Sequence, residues 1–101
     1  MRLTDHQAAE IRRAAARHFG ADAEVRLFGS RVDDSRRGGD IDLYVETDLR
    51  DPDDVFRREI AMLVDLNLAL GEQKIDLVVR RRGQTDELPI HRVARDTGVR
   101  L

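Results

Sequence analysis

The chain has 101 residues, with 18 lysines and arginines against 20 aspartates and glutamates, and no cysteine. A formal net charge of −2 lacks the basic excess of a duplex-DNA binder, and the missing thiols remove disulfides and cysteine-ligated zinc. With 41% hydrophobic and 38% charged residues the chain reads as one soluble globular domain, residues 1–101, without an apolar run near the ~20 residues that span a bilayer.

Residues 4–19 are expected to form a helix. Thr4 and Gln7 make a capping box, Ala8, Ile11, Ala15 and Phe19 recur at helical spacing, and Gly20 is a natural stop. Residues 23–28 alternate as a short strand with Val25 and Leu27 on one face, broken at Gly29. After a polar stretch, "DIDLYVE" (residues 40–46) is a second strand. Ile41, Leu43 and Val45 point one way, and Asp40, Asp42, Tyr44 and Glu46 the other.

A second helix follows, with Asp51 as cap, Pro52 at its first position and Asp53 and Asp54 complementing the dipole. Val55, Glu59, Leu63, Leu66 and Leu70 trace its mainly apolar stripe, and Gly71 ends it. "KIDLVVR" (residues 74–80) is a third strand, and a short helix at about 88–97 is closed by Gly98. The order points to an α+β fold with a small mixed sheet of three strands and the helices on one face. Asp42 and Asp76 would then stand on the uncovered face.

Asp40 and Asp42 leave the same face of a strand about 7 Å apart at the backbone, close enough for both to bend toward one hard cation or a pair. Asp76 is the only acid in an otherwise apolar strand. On a strand beside Asp42 it would bring a third carboxylate, a set that repels itself unless a cation such as Mg²⁺ is present. Gly29-Ser30 supplies the complementary half. Glycine lets the backbone approach a ligand, successive amides after a strand can form an anion nest, and Ser30 and Arg31 add a hydroxyl donor and a forked cation. Nine residues separate Ser30 from Asp40, enough for the chain to return and face them.

This ordered set resembles the nucleotidyltransferase superfamily that includes DNA polymerase beta, whose signature is a hydrophobic residue, Gly-Gly or Gly-Ser, a spacer, then Asp-x-Asp. Phe28-Gly29-Ser30 and Asp40-Ile41-Asp42 match it, with Asp76 as the later carboxylate. Chain length and the closing "IHRVARDTGVRL" resemble the minimal nucleotidyltransferases. The resemblance implies that Asp40, Asp42 and Asp76 hold two Mg²⁺ ions, that Asp76 also activates the attacking hydroxyl, and that Gly29, Ser30 and Arg31 bind the triphosphate of ATP. It further implies a HEPN-family toxin as partner, AMP transfer to one of its tyrosines, and an antitoxin role; the lack of cysteine, of a spanning run and of a signal segment points separately to the cytoplasm.

One departure stands out. Many relatives continue Gly-Ser-Arg with a small residue and a second arginine, whereas Val32, Asp33 and Asp34 follow Arg31 here. Arg36 or Arg37 could substitute. Two other readings stay open: a binding module that silences its partner by contact, and transfer to RNA or a small molecule.

Arg80, Arg81 and Arg82 read first as a solvated basic run, with contact to triphosphate, RNA or an acidic partner as the alternative. His6, His18 and His91 lack metal spacing, and His18 near a helix C-terminus suits the dipole. Tyr44 could stack on a base, although a flanking sheet tyrosine is the commoner case, and residual apolar surface would support a homo-oligomer.

Overall fold

The computed structural model describes residues 3–29, 41–71, 74–83 and 88–101. Helix α1 (Asp5–Phe19) starts where expected. Thr4 Oγ1 accepts from the Gln7 amide at 3.0 Å, and Gln7 Oε1 accepts from the Thr4 amide at 2.9 Å, which satisfies two donors the first turn would otherwise strand. Strands β1 (Glu24–Phe28) and β2 (Ile41–Thr47) pair antiparallel. Helix α2 (Pro52–Leu70), capped by the Asp51 carboxylate on the Asp53 amide at 3.0 Å, carries the chain across to β3 (Ile75–Arg81), which pairs parallel to β2. Parallel neighbours need such a crossover.

Helix α3 (Pro89–Thr97) and a two-residue strand β4 (Val99–Arg100) follow. The sheet order is β3-β2-β1-β4.

The main core lies between one sheet face and the first two helices. Ile11, Ala14, Ala15 and Phe19 of α1 and Val55, Met62 and Leu66 of α2 meet Val25, Leu27, Ile41, Leu43 and Val45. Truncating a fully buried member such as Leu66 to alanine would cost about 2–5 kcal/mol, the transfer term plus the cavity left behind. Met62, not Glu59, completes the buried stripe of α2. Glu59 is only partly covered, and burial pushes its carboxyl pKa up.

The expected α+β class and its first three strands hold, with two differences. The sheet has a fourth strand, too short to show alternation, which borrows its partners from β1: Val99 pairs with Leu27 and Arg100 with Arg26. The third helix does not join the other two. Its buried Ala94 packs with Phe28, Tyr44 and Val78 on the opposite sheet face. Gly98 permits this return, because a Cβ there would lie 3.2 Å from both Arg26 Cβ and Leu27 O and closer still to Ala94 O.

Candidate active site

The second sheet face is a grid set by register. Phe28 stands beside Asp42 and Asp42 beside Asp76; in the next row are Arg26, Tyr44 and Val78, and in the last Glu24, Glu46 and Arg80. Partners in register project to the same side, and adjacent strands are about 4.8 Å apart, so Asp42 and Asp76 stand within reach of one ligand. The Ile41 amide donates to Lys74 O at 3.0 Å and locks this register next to both acids. A slip of one residue would send Asp76 to the core face and Ile75 to water. Asp42 is half-buried, and Asp76 is exposed on β3 at the sheet edge.

Gly29 follows β1 with φ +74°, a left-handed conformation that L side chains adopt at a cost. A Cβ built there would overlap Asp42 Oδ2 and lie 3.1 Å from its Cγ. The glycine is thus the wall against which the Asp42 carboxylate rests. This close approach of backbone to carboxylate explains the need for glycine at the end of the strand, beyond turn-making alone.

Of the six residues expected at the site, the structure brings Gly29, Asp42 and Asp76 to one corner. Ser30, Arg31 and Asp40 lie outside the described residues, as do Arg36 and Arg37. Among the described residues no group of three His, Cys, Asp or Glu comes together to hold a metal. The two carboxylates that stand in register are hard oxygen donors on neighbouring strands. That donor set fits Mg²⁺.

Tyr44 belongs to the fold and not to a nucleotide site. It is fully buried, its hydroxyl donates to Glu46 Oε1 at 2.6 Å, and its ring lies 6.2 Å from that of His91. Burial, reinforced by Glu46 and opposed by Arg80, pushes its pKa up to about 12. A buried ring cannot stack on a base, so of its two readings the commoner one, a sheet tyrosine, holds. His91 is itself buried, and its Nδ1 accepts from the Leu88 amide at 3.2 Å. It tethers the start of α3 over the sheet.

The arginine run is likewise structural. β3 extends to Arg81. Arg80 lies 3.9 Å from Glu46, Arg82 lies 3.1 Å from Asp48 and donates to Asp22 O at 2.9 Å, and Arg81 donates to Arg50 O at 2.7 Å. His18 does more than suit a helix end, since its Nε2 is 2.9 Å from Asp65 Oδ2 and shares that carboxylate with Arg13.

Paired strand-borne carboxylates beside a glycine turn form a corner suited to binding phosphate and a hard cation. The chain belongs to the nucleotidyltransferase domain family, which it matches over residues 8–94, and its reaction is accordingly a nucleotidyl transfer. No curated protein is similar enough to be matched with it. Among the described residues no helix is long and apolar enough to cross a membrane.

Proposed function

We propose that this domain transfers AMP from ATP to a hydroxyl group, with a tyrosine of a HEPN-family partner protein as acceptor, and thereby acts as the antitoxin of a toxin–antitoxin pair. The observation that carries this reading is the Asp42–Asp76 pairing in register, with Gly29 against Asp42. Asp40, Asp42 and Asp76 would hold Mg²⁺, which when bound neutralises the triphosphate and favours displacement at phosphorus.

The chain's own groups do the positioning. Gly29, Ser30 and Arg31 hold the β and γ phosphates. Asp76 orients the acceptor hydroxyl and takes its proton as the oxygen bonds to the α phosphorus and the bond to pyrophosphate breaks. Asp76 is exposed on the edge strand, which suits an acceptor carried on another macromolecule. A macromolecule can reach an edge, whereas a small-molecule site is more often enclosed.

The test is incubation of the purified protein with ATP labelled at the α phosphate, Mg²⁺ and its cognate HEPN partner. Label should enter the partner protein, and Asp42→Ala should reduce transfer by about 10³-fold while leaving the fold intact. Complete inhibition of the partner without label transfer would establish the contact-only reading instead. Label moving to RNA would establish the third.

A further inference from the structure

Among the described residues β3 pairs with β2 alone and forms one edge of the sheet. Two backbone bonds at the ends of this ladder show how it is oriented. The Ile41 amide donates to Lys74 O at 3.0 Å, and the Arg82 amide donates to Thr47 O at 2.8 Å. The even-numbered residues of β3 therefore turn their amides and carbonyls toward β2. Backbone directions alternate along a strand, so Ile75, Leu77, Val79 and Arg81 turn theirs outward. Among the described residues none of these four has a backbone partner on that side.

Side-chain burial reports the same open edge. Ile41, Leu43 and Val45 are fully buried, whereas their register partners Ile75, Leu77 and Val79, on the same core face, stay partly exposed. An edge with apolar interior positions and outward backbone groups is a template for one more strand. A strand added there would lie about 4.8 Å from β3, and its residue level with Asp76 would project beside that carboxylate on the site face. Main-chain pairing would thus hold an acceptor hydroxyl next to the group that takes its proton.

Charge indicates what that strand carries. Residues 74–82 hold Lys74, Arg80, Arg81 and Arg82 against one acid, Asp76. Arg80 and Arg82 lie near Glu46 and Asp48. Arg81 donates only to the Arg50 carbonyl, and among the described residues no carboxylate faces it. A second copy of β3 on this edge would bring two cationic strands together, and β3 contains no hydroxyl residue. A segment of a different protein, with an acid beside Arg81, meets both demands. Positions level with Asp76 and Arg81 are five residues apart, so their side chains leave opposite faces, as those of Asp76 and Arg81 do. We infer that the acceptor of nucleotidyl transfer docks as an extended segment on the β3 edge, its hydroxyl residue beside Asp76 and an acidic residue five positions away beside Arg81. This inference rests on the protein-acceptor reading above and adds how that acceptor is recognised.

Amide hydrogen exchange, read by NMR on the full chain alone and with its HEPN partner, tests this. In the chain alone Ile75, Leu77, Val79 and Arg81 should exchange faster than Asp76, Val78 and Arg80, and in the complex those four should slow by about 100-fold. Arg81→Glu should weaken the complex by about 10-fold with an unchanged circular-dichroism spectrum. Transfer from ATP labelled at the α phosphate is followed in parallel. Slowed exchange without label in the partner would support the docking edge and sink the transfer reading. Unchanged exchange in the complex would overturn the docking edge, and label in the partner would then leave the transfer reading standing. Slow exchange of the same four amides in the concentrated chain alone would mark self-pairing and overturn the inference, as would a complex indifferent to Arg81→Glu.

Discussion

Replacing Gly29 by alanine separates two costs that a glycine can conceal. The first is conformational. At φ +74° an L-residue is disfavoured by about 1–2 kcal/mol, which for a domain of this size lowers the melting midpoint by about 5–15 °C. The second falls on the carboxylate. The new Cβ would overlap Asp42 Oδ2, and that atom ends a short side chain, so the overlap is relieved by turning Asp42 away. Relief of that kind costs little stability and displaces the group by about 1 Å, which in a positioned site is worth about 100-fold in rate.

Gly71→Ala is the matched control. Gly71 has φ +82° and no heavy atom within 4 Å of where a Cβ would sit, so it carries the conformational cost alone. Thermal melts should fall by similar amounts in the two variants. Binding of a fluorescent ATP analogue with Mg²⁺, and transfer to the acceptor, should fall only in Gly29→Ala. If Gly29→Ala kept full binding and transfer, or Gly71→Ala lost as much, Asp42 would not be the group that Gly29 positions.

Two further predictions concern the frame around the site. The Arg13 guanidinium, with help from His18, holds the Asp65 carboxyl down to about 2 from an ordinary 3.8. A depressed acid contributes stability above its unfolded pKa and loses it as pH falls through the folded one, so this contribution should disappear between about pH 4 and pH 2. Asp65→Asn should lower the melting temperature by a few degrees at pH 7, as a partly solvated pair would, and should flatten the acid limb of a stability–pH curve. Tyr44→Phe removes a buried donor and leaves Glu46 short of a partner, at about 1–2 kcal/mol by chemical denaturation. Since the Tyr44 pKa is raised to about 12, its contribution is complete below about pH 10 and lost on rising through 12, and the phenylalanine variant should lack that alkaline loss.

Much of the architecture is legible because it is written locally. Thr4 with Gln7, Asp51 with Pro52, and the glycines at 20 and 71 mark helix ends through hydrogen bonds and φ angles that involve only neighbouring residues. Alternation in residues 41–45 assigns the core face of β2 for the same reason. β4 was not legible, since two residues carry no periodicity and Val99 and Arg100 become a strand only by pairing with β1. The exposed row on α2 was also missed. Phe56, Ile60, Val64 and Leu68 are as apolar as the residues beside them, and only the packed structure separates those the sheet covers from those it does not. For Tyr44, strand parity correctly placed the ring on the face of the acids, and only the structure shows that α3 covers that part of the face.

The amino-acid sequence by itself determined the residue types a phosphate-and-metal corner needs, and their order along the chain. It also determined the parity that puts Asp42, Tyr44 and Glu46 on one side of a strand, while Asp40 lies outside the described residues. Those are properties of spacing, and spacing survives without a fold. Only the tertiary structure decided that Asp42 meets Asp76, because parallel register between β2 and β3 is set by a crossover helix and by backbone bonds such as Ile41 to Lys74. It alone decided that Gly29 presses on Asp42, a contact made by strand pairing and a left-handed turn together. Chemistry that depends on which groups touch is a long-range property, and a one-residue slip of β3 would have kept the motif and lost the site.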